Sequence, residues 1–487
     1  MQRWDQLPAK KTLLLLWALV GLVVVALYAP FGLYYLNDDF IHIPLSEQAV
    51  FGQRHSIRVM NDFSLYLDSL LYGKNAVGYH FTNLLLHLAN TVLLFFTSKK
   101  ILGLMKLPNS SLVAHATCFF FILYPFHSES VFWLIGRTGA LSTLWMQLAL
   151  LAQMRRSFWW QMLGCLLYLA GLFTYESVLV YSVLLGAIWL YRKQQKANDA
   201  SHWLQQMLMA AAATIAYILI RVVMLGGVTD HYESGSLLTG QLSTLFSNYA
   251  ALLLRLFVPP FVSNTWLLIT AVIILLPILI LVVYHRKQWA GNLWKFFLLK
   301  LVLLASLLPY ISLGIDTHGV ESERYLYLPS LLLALLAAQV LRWCNMQQRW
   351  LLSGIYAVFA FAFLLQSSLS FRRASAVAET VVATTNTFVQ PQHRFIYYFN
   401  MPGEHKGVVL LRTGLPEAVA WLVPAAAGKT VYSIAPDMKP FLQIPKLEKT
   451  TLVSKAQFVQ LLQVPDSVQL KQSLLIAYQN GRLLVAQ

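Results

Sequence analysis

Long apolar runs separated by short polar loops set the pattern of this chain. Eleven runs read as membrane crossings, at 12–31, 80–98, 112–125, 131–153, 158–174, 177–191, 203–225, 265–284, 295–314, 326–342 and 350–370. A helical crossing takes about 20 mostly apolar residues, so the shorter runs are expected to extend into their flanks. The stretch 246–262 is also apolar, but Asn248, Arg255 and the pair Pro259-Pro260 interrupt it. A crossing there would place His285, Arg286 and Lys287 outside, so the stretch reads as interfacial or re-entrant. Residues 32–79 form a long external loop. In it Ile57, Val59, Met60, Phe63, Leu65, Leu67, Leu70 and Leu71 alternate with polar residues, as in a helix lying in the interface plane.

Beyond residue 370 the pattern changes. Short strand-like runs occur at 394–399, 408–411 and 430–434, and 415–422 has a helical pattern. Residues 474–478 and 482–485 flank Gln479-Asn480-Gly481, and Asn-Gly is the residue pair of a tight hairpin turn. The expected fold is an all-α polytopic bundle of about eleven transmembrane helices, residues 1–370. A small external α/β domain, residues 371–487, follows it.

Composition supports the membrane assignment. Of 487 residues 58% are hydrophobic and only 11% charged, with a mean hydropathy of +0.59; soluble chains carry about 25% charged residues. The loops assigned to the cytoplasm hold sixteen Lys/Arg against two acidic residues, and the external loops hold twelve acidic residues. This asymmetry puts the N-terminus in the cytoplasm, and an odd number of crossings puts the C-terminal domain outside. The net charge of +16 is therefore mostly topology signal and points to a lipid bilayer, not to nucleic acid. A basic external tail also suits anionic headgroups or a lipid phosphate. Cys118, Cys165 and Cys344 lie in or at the ends of crossings and suggest no disulfide framework. The first run follows Arg3, Lys10 and Lys11 but has no small-residue cleavage site, so it reads as retained.

Four polar clusters stand out against this background. Asp38-Asp39 follows the first crossing within a few residues, and an acid near a membrane interface is costly unless it has a role. His80, Asn83, His87 and Asn90 recur at helical spacing and make one face of the second crossing polar. They either bond neighbouring helices or face a wet cavity. His127 and Glu129 occupy a tight external turn, with Arg137 two turns into the following run; Glu176 and Arg221 lie near the same edge. A buried Arg requires a carboxylate or a phosphate, and Asp38, Asp39, Glu129 and Glu176 are the candidate partners of Arg137. The last cluster is Asp316-Thr317-His318-Gly319-Val320-Glu321-Ser322-Glu323-Arg324-Tyr325-Leu326-Tyr327-Leu328-Pro329. Arg324 there could meet a lipid phosphate or pair with Glu321 or Glu323.

In order along the chain, these clusters resemble the C-type integral membrane glycosyltransferases, which use polyprenyl-phosphate sugars. The likeness is to the transmembrane O-mannosyltransferases and their bacterial relatives. It rests on Asp38-Asp39, on the phrase from His127 to Arg137, and on Glu323-Arg324-Tyr325-Leu326-Tyr327-Leu328-Pro329. Phe399-Asn400-Met401-Pro402 followed by Gly407-Val408-Val409 extends it weakly into the tail. Tyr175 stands where the family usually has Lys before Glu176, and no TPR array is present.

The resemblance implies a polyprenyl-phosphate-sugar donor and a protein, glycan or lipid acceptor. It also implies an active site on the external face, in a bacterial inner membrane the periplasmic one. A base must then take the acceptor's proton, and a cation must stabilise the departing lipid phosphate. Asp38 and Asp39 are the candidate bases of an inverting transfer. Arg324, Arg137 and Arg221 are the candidate phosphate ligands, with Glu323, Tyr325 and Tyr327 beside them. His80, Asn83, His127, Glu129, Glu176 and His318 complete the candidate site. The acids could bind a divalent metal through oxygen, but their spacing does not demand it, and the expectation is no cofactor and no metal. A polysaccharide polymerase or ligase would centre on a late external loop. A secondary transporter would show inverted repeats and matched broken helices, and Pro277 and Pro309 have no counterparts in the first half.

Overall fold

The computed structural model describes residues 10–52, 57–107, 110–225, 242–260, 263–284, 293–434, 450–464 and 468–486. The basic positions Arg3, His285, Arg286 and Lys287, used above for topology, lie outside the described residues. The chain is mostly helical, with a small sheet at its C-terminal end.

Among the described residues, four helices are long and apolar enough to cross a membrane: Ala76–Leu104, Ala200–Met224, Glu323–Leu341 and Met346–Phe388. Shorter apolar helices occur at Leu13–Leu27, Ser110–Ile122, Phe158–Leu172 and Asn264–Pro277. Several expected crossings are broken near one end. The run 131–153 becomes a short helix Ser128–Phe132, a tight turn Ile135–Arg137 and a helix Thr138–Gln153. Gly136 permits that turn: a Cβ there would stand 2.2 Å from the Glu129 carbonyl oxygen. The run 177–191 likewise starts as a tight turn, Glu176–Leu179, before the helix Val180–Gln194. The interrupted stretch holds a helix, Leu242–Arg255, that ends on the expected arginine.

The amphipathic loop segment forms the helix Val59–Tyr72. Phe63, Leu67, Leu70 and Leu71 are exposed, whereas Asn61, Asp62 and Asp68 are buried. Its polar stripe therefore faces the protein and its apolar stripe faces outward, as suits an interfacial helix.

One feature joins the two halves. The helix Met346–Phe388 runs 43 residues without a break, straight through residue 370. At 1.5 Å per residue it is about 65 Å long, roughly twice the hydrocarbon thickness. Its second half buries Ala374, Val377, Ala378, Val381, Val382 and Thr385 at helical spacing. The five apolar ones pack in one core with Tyr398, Leu474, Ile476 and Val485 of the sheet, and the Thr385 hydroxyl shares a hydrogen bond with the Tyr398 hydroxyl. That sheet is built from β1 (Phe395–Phe399), β4 (Thr430–Ile434), β5 (Thr451–Leu452), β6 (Ser473–Gln479) and β7 (Arg482–Ala486), in the order β4-β1-β6-β7-β5. A separate ribbon pairs β2 (Glu404–His405) with β3 (Val408–Val409). β6 and β7 are the expected hairpin, with Gln479 opposite Arg482 and both turn residues, Asn480 and Gly481, at positive φ. β1 runs parallel to both β4 and β6.

Candidate active site

The loop Leu36–Asp39 is the meeting point of the bundle and the C-terminal domain. Asp39 points inward and is fully buried. Its two carboxylate oxygens accept from the backbone amides of Leu36 (2.9 Å) and Ile135 (3.1 Å). Burial pushes its pKa up to about 8, against the pull of those two amides and with the neighbouring Asp38 adding to the rise. Asp38 is only half-buried. Its Oδ1 accepts from the Asn37 side-chain amide at 2.9 Å and from the Thr413 hydroxyl. Among the described residues Oδ2 has no hydrogen-bond partner in the structure. The two adjacent acids are thus in opposite situations: Asp39 is saturated inside, and Asp38 is held by one oxygen at the surface.

Trp133 connects this loop to the next cluster. Its indole N–H donates to the Leu36 carbonyl (3.2 Å), and the Arg324 guanidinium lies 5.1 Å from its ring centroid. Arg324 pairs with Glu129, not with Glu321 or Glu323. Its Nη1 is 2.6 Å from Oε1, and its backbone amide donates to Oε2 at 2.8 Å. The short turns Ser128–Phe132 and Glu323–Leu326 bring these two phrases together across 195 positions of sequence. Glu321 instead pairs with Arg412 of the C-terminal domain at 2.6 Å.

Two further arginines are sealed. Arg137 is fully buried, and its partner is Asp68 of the helix Val59–Tyr72 at 2.6 Å, none of the four acids expected from the sequence. Ser64 Oγ and the carbonyls of Tyr79 and Leu134 take its remaining donors. The arginine that the sequence reading left unassigned, Arg255, is also fully buried. It pairs with Glu323 at 2.6 Å and donates to the carbonyls of Val258 and Asp316. The Ser128 hydroxyl donates to the other Glu323 oxygen. Its place inside an interrupted apolar stretch was the available signal for Arg255.

The Glu176 carboxylate faces two arginines, Arg221 at 2.6 Å and Arg58 at 3.7 Å. Burial works against its charge, but Arg58 and Arg221 outweigh it and hold Glu176 below the usual carboxylate range. Tyr175 lies under Arg58, 5.0 Å from guanidinium to ring centroid. Tyr325 stacks on Tyr310 at 4.3 Å and lies against Tyr175.

The polar face of the second crossing bonds neighbouring segments. The Asn83 amide donates to the carbonyls of Val131 and Trp133, Asn90 donates to Ala140, and His80 lies 3.3 Å from the Tyr34 carbonyl. His87 lies 2.9 Å from the Tyr327 hydroxyl, so Tyr327 turns into the bundle and not toward a headgroup. His127 sits 2.7 Å from Ser330 Oγ. His318 is half-exposed beside Asn264.

A cavity of about 510 Å³ opens where the long helix, the 316–323 loop and the β2–β3 ribbon meet. Phe126 and Phe363 supply apolar wall; Asp316, His318, Glu404 and Lys406 supply polar wall. Arg412 and Glu321 tie this region to the Asp38 loop, since Arg412 adjoins Thr413 and Glu321 adjoins the cavity residue Val320. Among the described residues no three His, Cys, Asp or Glu side chains come together in a way that could hold a metal ion.

This arrangement sits on a known architecture. Over 98% of both chains the structure superposes on ArnT from Cupriavidus metallidurans, a C-type glycosyltransferase, with a TM-score of 0.50 and 10% identity. The match holds for the crystal structure with undecaprenyl phosphate bound and for the apo crystal structure. The chain therefore has a C-type glycosyltransferase fold. No protein-family model matches it. In sequence, 155 residues are 30% identical to the Protein O-mannosyl-transferase Tmtc1 of Drosophila melanogaster. The matched stretch is 31% of this chain, and the chain spans only 17% of that relative.

Proposed function

We propose that this chain is an external-face glycosyltransferase. It moves a sugar from a polyprenyl-phosphate donor to an acceptor hydroxyl, with Asp38 as the base. The observation that carries the reading is the contrast within the acidic pair: Asp39 is fully buried with both oxygens bonded, whereas Asp38 is half-buried and bonded through Oδ1, on the loop whose Leu36 carbonyl accepts from Trp133, the ring under Arg324. The ArnT-like fold and the Tmtc1 match support the reaction class. The cavity, with apolar and polar walls, supports an amphiphilic donor.

In the reaction, Asp38 takes the acceptor's hydroxyl proton as the oxygen attacks the anomeric carbon. The bond to the lipid phosphate breaks on the opposite face, so the anomeric configuration inverts. Arg324 meets the leaving phosphate; its planar guanidinium can exchange Glu129 for phosphate oxygens without losing charge. Arg58 and Arg221, two cations on the one carboxylate of Glu176, leave a net positive edge that favours the same anion. Asp39 holds the loop. The site needs no metal in this scheme. The N-terminus is cytoplasmic and the C-terminal domain external, the periplasmic side in a bacterium, with eleven crossings between.

The test is turnover of undecaprenyl-phosphomannose by the full chain in lipid vesicles, read as release of undecaprenyl phosphate. Asp38→Asn should lower the rate by about 10²–10⁴-fold, the usual contribution of a positioned base. Full activity of that variant at normal expression would remove Asp38 from the mechanism.

A further inference from the structure

The reading of Asp38 as base raises the question of what aims it. The carboxylate sits on the loop Leu36–Asp39, which is anchored from two directions. On the bundle side, Asp39 is fixed by the amides of Leu36 and Ile135. On the other side, the anchor is the segment Leu410–Gly414 of the C-terminal domain. The Asn37 amide donates to the Leu410 carbonyl at 2.7 Å, and the Thr413 amide donates to Asn37 Oδ1 at 2.8 Å. Asn37 itself has φ +48°, a left-handed conformation that Asn tolerates better than most residues. Gly414, at φ +80°, lets the two backbones close up: a Cβ there would stand 2.5 Å from the Asn37 carbonyl oxygen. This contact brings the Thr413 hydroxyl to both Asp38 Oδ1 and Asn37 Oδ1 (2.8 Å), which share its single proton.

We infer that Thr413 is a positioning residue for the Asp38 carboxylate, so that the C-terminal domain completes the reaction site. A hydrogen bond on one carboxylate oxygen fixes the plane of the group and leaves the other oxygen as the proton acceptor. The Asn37 amide holds the same oxygen from within the loop at 2.9 Å, and Thr413 adds a second bond from the C-terminal domain; with one of the two gone, the broad terminal torsion of the aspartate is less restricted. The acceptor is engaged by Oδ2, and the donor by arginines carried on other segments, so Thr413 acts on the chemical step and not on donor binding. This inference rests on the assignment of Asp38 as base.

The experiment compares Thr413→Val, Thr413→Ser and Gly414→Ala in the full chain in lipid vesicles. The probes are undecaprenyl phosphate carrying mannose, glucose, galactose or N-acetylglucosamine, with free undecaprenyl phosphate for binding. Val keeps the shape and removes the hydroxyl; it should lower kcat roughly tenfold to hundredfold, as loss of one bond to a charged group does. Its affinity for undecaprenyl phosphate and its melting temperature should stay near those of the unaltered chain. Ser should restore kcat. Gly414→Ala, which pushes Asn37 away, should lower kcat in the same way and serves if the Val variant does not fold. A purely structural role would lower melting temperature and donor affinity together and would not be rescued by Ser; that pattern overturns the inference. Unchanged kcat in Val also overturns it. Asp38→Asn separates the two claims: if it is inactive while Thr413→Val is fully active, only the role of Thr413 falls. If Asp38→Asn is fully active, the base assignment falls and the inference with it.

Discussion

The charged groups of this site divide into a sealed set and an open set. Asp39, Arg137–Asp68 and Arg255–Glu323 are buried and paired or hydrogen-bonded inside the protein. The Arg137 and Arg255 side chains are 0% exposed. Asp38, Arg324–Glu129 and the Arg58–Glu176–Arg221 group each keep an edge open, with side chains of Arg324, Arg221 and Arg58 at 17%, 10% and 35% exposure. Both sets use the same residue types, yet only the second can trade a protein partner for a substrate. A buried pair that loses one member leaves an uncompensated charge, so it acts as scaffold. Arg324–Glu129 and Arg221–Glu176 are only partly exposed, so they still stabilise the fold while one edge stays reachable.

The contrast can be broken at its widest point by comparing the two aspartates. Asp38→Asn should cost about 10²–10⁴-fold in transfer rate with an unchanged melting temperature. Equal activity losses without unfolding in Asp39→Asn would erase the distinction between them.

Next come the sealed arginines. Arg137→Met and Arg255→Met should each destabilise the chain by about 3–5 kcal/mol, measured by thermal or denaturant unfolding in detergent. A stable Arg137→Met that had instead lost affinity for undecaprenyl phosphate would move Arg137 to the open set.

For Arg324 the expected order is reversed. Arg324→Ala should weaken undecaprenyl phosphate binding by about tenfold to hundredfold, the value of a charge-assisted hydrogen bond, with a smaller loss of stability than Arg137→Met. Arg324→Lys, which keeps the charge without the fork, should fall between the two.

The smallest effect is a pH dependence. Asp39 has a folded pKa of about 8, against 3.8 for the ordinary group, so the folded state holds its proton more tightly. The stabilisation is present below 3.8 and is lost as pH rises through 8. Melting temperature should therefore decline between about pH 4 and pH 8 and level off above, and less steeply in Asp39→Asn. A slope that Asp39→Asn leaves unchanged would show that another group titrates there.

The sequence by itself determined the class of fold. Apolar run length and loop charge are local properties, and the bilayer thickness and the positive-inside rule act on them directly. The Asn480-Gly481 hairpin and the helix at 415–422 were legible for the same reason: a turn residue or a periodic face needs no distant partner. Asp38, Arg324 and Glu129 also stood out, because charges are rare in such a chain. What only the tertiary structure decided is which charge meets which. Arg324 finds Glu129 across 195 positions, Arg137 finds Asp68 on a helix that the sequence marked as interfacial, and Arg255 finds Glu323. Nor could spacing show that Asn37 and Asp38 are held by Thr413, 376 and 375 positions away. Coulomb attraction and hydrogen bonding depend on distance in space. In a bundle whose helices cross back and forth, neighbours in space come from loops far apart in the chain.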